Sequence, residues 1–300
     1  MGGNTTKKRV KKSDLTGWLL NIPYLLYTVV FFLVPLVWAI WLSTLNWNLM
    51  SKNKVFVGFE NFKNLFFDAK TKAAFVNSFR YLFPIVILCF VMGLVLALIA
   101  SNLPEKIRGV VAVLFFIPYL TSGVATSVVV KFLFSYDSSL NVFLREKFNL
   151  DIQWFQDPKA AFWIIILIIV WKMSGYYALF LLSAIEGINP EVNEACALDG
   201  SYGFHKLFHV TLPMILPTLT TVIVLAAGLA FGIYTEPYLL TGGGPNNATT
   251  TWLLEIYNTS FTSFQSGQGA AMAIANAVQI FVVIQLITVV MNKMNKKFGC

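Results

Sequence analysis

Apolar residues run through this chain in long unbroken blocks, not in the period of a half-buried helix or strand. Six blocks are each long enough to cross a hydrocarbon core, which takes about 20 helical residues. They cover 18–42, 81–100, 110–130, 160–185, 213–234 and 270–291. The first contains Pro23 and Pro35, tolerated in a span where packed neighbours satisfy the freed carbonyls. The fourth is interrupted by Lys172. Trp18, Trp38, Trp41, Tyr119, Trp154 and Trp163 gather near block ends, where headgroup-level aromatic anchors belong. The pattern predicts an all-α integral membrane protein with about six transmembrane helices.

Composition agrees. The chain is 57% hydrophobic and 12% charged with mean hydropathy +0.70, too few charges to coat a water-soluble sphere of this size. The net charge of +8 raises nucleic acid as a partner, but no aromatic-interleaved basic surface of the single-strand-binding kind is present. The charges lie instead in two tails. Lys7, Lys8, Arg9, Lys11 and Lys12 fall in the segment 1–17, and Lys293, Lys296 and Lys297 in 293–300. Basic tails abutting apolar spans read as cytoplasmic anchors on anionic headgroups, and six spans put both termini on one side. The N-terminal basic-then-apolar pattern resembles a signal peptide, but its apolar run is too long and lacks a small-residue cleavage site, so it reads as a retained span. One loop opposes this orientation: Lys52, Lys54, Lys63, Lys70 and Lys72 then fall outside. Cys89, Cys196 and Cys300 have neither disulfide nor metal spacing, and no metal site is expected.

Two outer segments carry some order of their own. Residues 56–79 read as a short amphipathic helical region with Phe59, Phe62, Phe66 and Phe67 on its apolar side, and 136–159 as a mixed polar loop. Neither is long enough for an independent domain.

The informative stretch is the loop 186–212. Asn189 is a good N-cap, Pro190 suits the first helical position, and Glu191 is favourable at the positive helix end. Gly200 can take the left-handed conformation that stops a helix, and Ser201 can cap a second helix through Phe204, Leu207 and Phe208. The product is a helix, a glycine elbow and another helix outside the bilayer. Val192, Ala195 and Cys196 form a small apolar ridge beside Glu191 and Glu194, suited to a groove on a soluble partner. A helix resting on headgroups would instead want lysine and bulky apolar residues.

Glu194-Ala195-Cys196, Asp199-Gly200 and Val210-Thr211-Leu212-Pro213 resemble the EAA motif of bacterial ABC-importer permeases, with Cys196 for the usual alanine and Val210 for the usual isoleucine. Leu240-Thr241-Gly242-Gly243-Gly244-Pro245, Trp171-Lys172 and Ile188-Asn189-Pro190 extend the likeness to the carbohydrate-uptake branch, the MalF-like and UgpA-like binding-protein-dependent permeases, over essentially the whole chain. The resemblance implies a type I ABC importer fold in a bacterial plasma membrane, with a cytoplasmic coupling helix docking into a separate ATPase. Glu191, Glu194, Ala195, Cys196, Asp199, Gly200, Phe204, Leu212 and Pro213 would make up the coupling segment. Implied partners are a second homologous permease, an ATPase dimer holding ATP and Mg, and an extracellular solute-binding protein. No G-x-x-x-x-G-K-[ST] run occurs, so no phosphate-cradling loop is encoded, no catalytic residue is expected, and the Gly242–Gly244 run reads as a tight outer turn.

Polar groups inside spans default to functional candidates. Trp171, Lys172, Tyr176, Tyr234, Glu236, Asn276 and Gln279 combine hydrogen-bonding groups with aromatic faces, as a sugar path requires. Asn276 and Gln279 also fit ordinary helix–helix hydrogen bonds, worth about 0.6 kcal/mol each, and Lys172 fits pairing with a carboxylate. His205 and His209 have no ligand spacing and read as structural. A sugar or oligosaccharide is the implied cargo, glycerol phosphate the rival. An ion-coupled secondary transporter would favour inverted repeats with matching broken helices, and a membrane enzyme a catalytic pair; neither is visible.

Overall fold

The computed structural model describes residues 12–298. The basic cluster at Lys7, Lys8, Arg9 and Lys11, with the rest of the tail up to residue 11, and Cys300 lie outside the described residues. Helix α1 (Lys12–Thr28) begins inside the expected tail and contains Pro23. It runs through a π turn at Val29–Leu33 into α2 (Val34–Ser43). Pro35 opens α2, and the wider turn ahead of it absorbs the missing N–H and the ring's clash with the preceding carbonyls. A second π turn, Leu207–Thr211, precedes Pro213 in the same way.

Beyond α2 the chain makes a small antiparallel ribbon, β1 (Leu45–Asn46) on β2 (Val55–Phe56), with Leu45 opposite Phe56. Next comes α3 (Glu60–Leu65). The buried Asn61 amide donates to the carbonyls of Ser43 and Leu45 at 2.8 Å each, tying α3 to the ribbon. The expected apolar side of the 56–79 region forms only in part: Phe62 packs beside the buried Leu65, and Asn61 points inward with them, while Phe59, Phe66 and Phe67 are exposed. The cause is length, because α3 stops at Leu65 and α4 starts afresh on Asp68, whose carboxylate accepts from the Thr71 N–H at 2.6 Å.

Helix α4 (Ala69–Ser101) starts well ahead of the predicted 81–100 span. The predicted span 110–130 is not one helix. It is α5 (Glu105–Leu120) and α6 (Gly123–Leu133), bent by 84° at a break. Pro118 cannot donate into the last turn of α5, and Thr121 closes that turn on the Pro118 carbonyl by its N–H at 3.2 Å and its hydroxyl at 2.6 Å. Hydropathy does not register this, because threonine and serine are near neutral in a span yet supply the local hydrogen bonds that let a helix end there.

The polar segment that follows contains α7 (Ser139–Phe148), ended by Asn149 in the left-handed region. Helix α8 (Pro158–Glu186) is capped by Asp157. The loop helices are α9 (Pro190–Leu198), α10 (Gly203–Lys206) and the short α11 (Leu212–Met214). The predicted span 213–234 is likewise interrupted: α12 (Leu216–Phe231) starts after a break at Ile215 between two prolines, and α13 (Thr235–Leu240) resumes after Gly232. The Ile233 carbonyl freed by that gap accepts the Thr251 hydroxyl at 2.7 Å. Helices α14 (Trp252–Tyr257) and α15 (Ser266–Phe298) complete the chain. Among the described residues five helices are long and apolar enough to cross a membrane, or six with the bent pair counted as one span.

The core lies where α4, α8 and α12 meet, around Tyr81, Ile85, Ile165, Tyr177, Leu181, Val222 and Phe231. Helix α5 joins by backbone contact: a Cβ on Gly175 would stand 1.7 Å from the Phe115 carbonyl oxygen. The first span is different: its α2 half runs against α15, yet no residue of its hydrophobic window is fully buried among the described residues.

Candidate functional site

Two constellations carry the chemistry, one outside the spans and one among them. In the loop after α8, the Asn189 side chain accepts from the Glu191 N–H at 3.1 Å and Pro190 occupies the first turn. Helix α9 ends in a Schellman arrangement. The Ser201 N–H donates to the Cys196 carbonyl at 2.8 Å, the Gly200 N–H to Ala197 at 3.3 Å, and Gly200 takes φ +68°. The elbow is therefore as read from the sequence. A second helical segment runs through Phe204, Leu207 and Phe208 as expected, but its cap differs: the cap position is Tyr202, without a side-chain cap bond, and the Ser201 hydroxyl instead lies 2.9 Å from His205 Nδ1. His205 and His209 stack at 4.3 Å, with His209 Nδ1 3.0 Å from the His205 carbonyl.

The expected ridge is split. Cys196 is only 7% exposed and Val192 packs on the core, because both face the span bundle. The free surface of the elbow carries Glu191, Glu194, Ala195 and Asp199 together with Leu198, 89% exposed, and Phe204, 79% exposed. Leu198 is a surface residue that sequence reasoning missed; its signal is an apolar side chain in the last turn before the stop glycine. Leu212 packs against the core and roots the loop in it. At the other root, Arg108 pairs with Glu186, the last residue of α8, at 2.6 Å, and donates to the Leu103 and Ser101 carbonyls.

Inside the bundle, Lys172 on α8 and Glu236 on α13 stand 3.9 Å apart, each side chain 13% exposed. They meet at the α5–α6 break, where a Cβ on Gly123 would lie 3.3 Å from the lysine nitrogen and 3.5 Å from the Glu236 oxygen. Tyr176, one turn beyond Lys172, stacks on Tyr119 at 4.5 Å and 13°, and Tyr234 stacks on Tyr238 at 5.2 Å with Tyr257 against both. Flat aromatic faces thus flank a pair whose charges cancel. Gly123 and Tyr257 were missed, and Tyr119, expected as a headgroup anchor, stacks on Tyr176 instead, since only the fold brings them to Lys172 and Tyr234.

The remaining candidates do not join this cluster. Trp171 is half exposed and lines an apolar groove with Trp163 and Leu167. The Gln279 carbonyl accepts the Trp252 ring N–H at 2.7 Å, a helix–helix bond, and Asn276 is buried. The glycine turn after α13 is pinned by hydroxyls: Thr250 donates to Gly243 at 3.0 Å and Thr249 to Gly244 at 2.8 Å. The Asn77 amide holds the carbonyls of Asn247 and Thr250 from α4.

Residues 89–297 match the family described as binding-protein-dependent transport system inner membrane component. The chain is 31% identical to the multiple sugar-binding transport system permease protein MsmF of Streptococcus mutans serotype c, over 94% of this chain and 96% of that one. It is 30% identical to the sn-glycerol-3-phosphate transport system permease protein UgpA of Escherichia coli, over 95% and 96%. To the trehalose/maltose transport system permease protein MalF of Thermococcus litoralis it is 27% identical, over 99% of each. In fold it matches a chain of a bacterial alginate ABC transporter crystallised with an alginate-bound periplasmic protein, at TM-score 0.82 and 21% identity over 98% of this chain and 99% of that one.

Proposed function

The chain belongs to the inner membrane components of binding-protein-dependent transport systems, as a permease subunit of an ATP-driven importer, and from that premise we propose how it takes up force and what it passes. The helix–glycine–helix elbow is the coupling segment, with Glu191, Glu194, Ala195, Asp199, Leu198 and Phe204 meeting a groove on a separate ATPase that holds the ATP and Mg. Cys196, Leu212 and Pro213 serve on the inner side, fixing the elbow to the spans so that it moves with them as a unit. The elbow side and both termini are cytoplasmic. A second homologous permease completes the path, and an extracellular binding protein delivers the solute. The chain itself supplies no ATPase site.

The observation that carries this reading is the exposed apolar and acidic face of α9 behind a glycine stop. Among the described residues nothing covers this surface, and it has the chemistry to enter a basic-rimmed groove. For the cargo we favour an uncharged sugar or oligosaccharide over glycerol phosphate. The intramembrane lysine at the aromatic cluster is matched by Glu236, so an anion gains no net attraction there, while tyrosine faces beside hydrogen-bonding groups suit a sugar ring. The test is uptake by the reconstituted importer. Glu194→Lys and Gly200→Pro are expected to abolish sugar uptake and loosen ATPase co-purification with membrane insertion intact. Uptake that persists with a catalytically dead ATPase overturns the coupling, and preferential uptake of glycerol phosphate overturns the cargo.

A further inference from the structure

The lysines between the first two spans find no use in that scheme, and the structure places one of them, Lys72, at a groove. An apolar groove of about 680 Å³ runs between α4 and α15, walled by Phe75 and Phe79 on one side and Ile274, Val278 and Val282 on the other, with Lys72 at its rim and Gln279 in its lining. Lys72 is exposed, and while its backbone N–H donates to the Asp68 carbonyl at 3.0 Å, its side chain makes neither ion pair nor hydrogen bond among the described residues. Its neighbour Lys70 differs, lying in the field of the buried Glu255 carboxylate together with Asp68.

The position of Lys72 is costly twice over. It sits in the first turn of a 33-residue helix, where the macrodipole disfavours a cation, and in a loop where a basic excess runs against the usual charge asymmetry of spans. Gln279, deeper in the lining, is 8% exposed, and its oxygen takes the Trp252 ring N–H. Its polar atoms are turned into the protein, so the groove is apolar along its length with one unmet cation at its mouth. A linear hydrocarbon with an anionic end answers both.

We propose that the α4–α15 groove holds an acyl chain of an anionic phospholipid, with its phosphate on Lys72. The lipid comes from the leaflet at the α3–α4 end, which is the outer one on the orientation proposed above; the binding itself does not depend on that orientation. Chain length and headgroup are then read separately, the first by the groove and the second by the lysine.

The experiment equilibrates the intact transporter in nanodiscs of equal phosphatidylglycerol and phosphatidylcholine, extracts it gently, and reads retained lipids by native mass spectrometry. Wild type is expected to retain phosphatidylglycerol in preference. Lys72→Gln should lower that preference about fivefold, the factor one lysine supplies near an anionic surface, while Lys293→Gln at the far end of α15 leaves it unchanged. Val278→Trp fills the groove with Lys72 intact and should remove the retained lipid of either headgroup. Equal retention of both lipids by wild type, or an unchanged preference in Lys72→Gln, overturns the proposal. So does a disulfide between Val278→Cys and a cysteine on a second permease subunit's helix, which would show that protein occupies the groove. Because the readout is retained lipid, failure of the sugar-importer reading leaves it unaffected.

Discussion

Two glycines show how differently single residues announce themselves. Gly200 follows a capped acidic helix, and its left-handed conformation is what a stop at that point requires; it is legible because its reason is local. Gly175 sits in an ordinary apolar run, and its reason is the Phe115 carbonyl from a helix sixty residues earlier, against which a Cβ would stand at 1.7 Å. Backbone, not a flexible side chain, would have to yield. Gly175→Ala is therefore expected to cost about 1–3 kcal/mol or more by overpacking, seen as a lowered melting temperature of the solubilised protein. Gly93→Ala, whose Cβ would meet Tyr177 Cβ at 3.3 Å, should cost clearly less. Equal losses would show that α5 and α8 do not cross as described.

At the scale of elements, what hydropathy reads well is the presence of a span and what it reads poorly is where a span breaks. The breaks at Thr121 and at Ile233 are closed by hydroxyls, one from its own turn and one from Thr251 eighteen residues on, and neither changes the apolar average. The polar connections hold more structure than their composition implies for the same reason: α7 and α14 are each anchored by a few buried polar groups. In α14 that group is Glu255, whose carboxyl is pushed up from its ordinary value of 4.5 chiefly by burial, with Lys70 pulling the other way. A carboxyl raised on folding binds its proton more tightly in the folded chain, so its contribution is full below the ordinary value and is lost as pH rises towards the raised one. Melting temperature is thus expected to fall over that window above pH 4.5, and Glu255→Gln should flatten the fall. A slope unaltered by the substitution would assign it to other groups.

For the whole molecule, the sequence already separates an elbow outside the spans from a few polar residues within them, but it cannot say which of those residues meet. Lys172 and Glu236 lie on helices that touch only after the bundle closes, and they meet at the α5–α6 break that the apolar pattern hides. Asn276 and Gln279, equally conspicuous in sequence, stay apart from them. A pair this enclosed makes a specific demand: removing one member strands a charge in a low-dielectric site, at about 3–5 kcal/mol where burial is complete, whereas removing both is far milder. Lys172→Gln and Glu236→Gln should each depress assembly and uptake strongly, and the double Gln variant should recover a large part of both. The cycle of four proteins, read by melting temperature and by uptake of a neutral oligosaccharide, isolates the pair from each residue's other contacts. Additive losses would mean the two charges act separately. Recovery of stability without uptake would show that the pair holds the bundle together and, in addition, that its charges or hydrogen bonds face the solute.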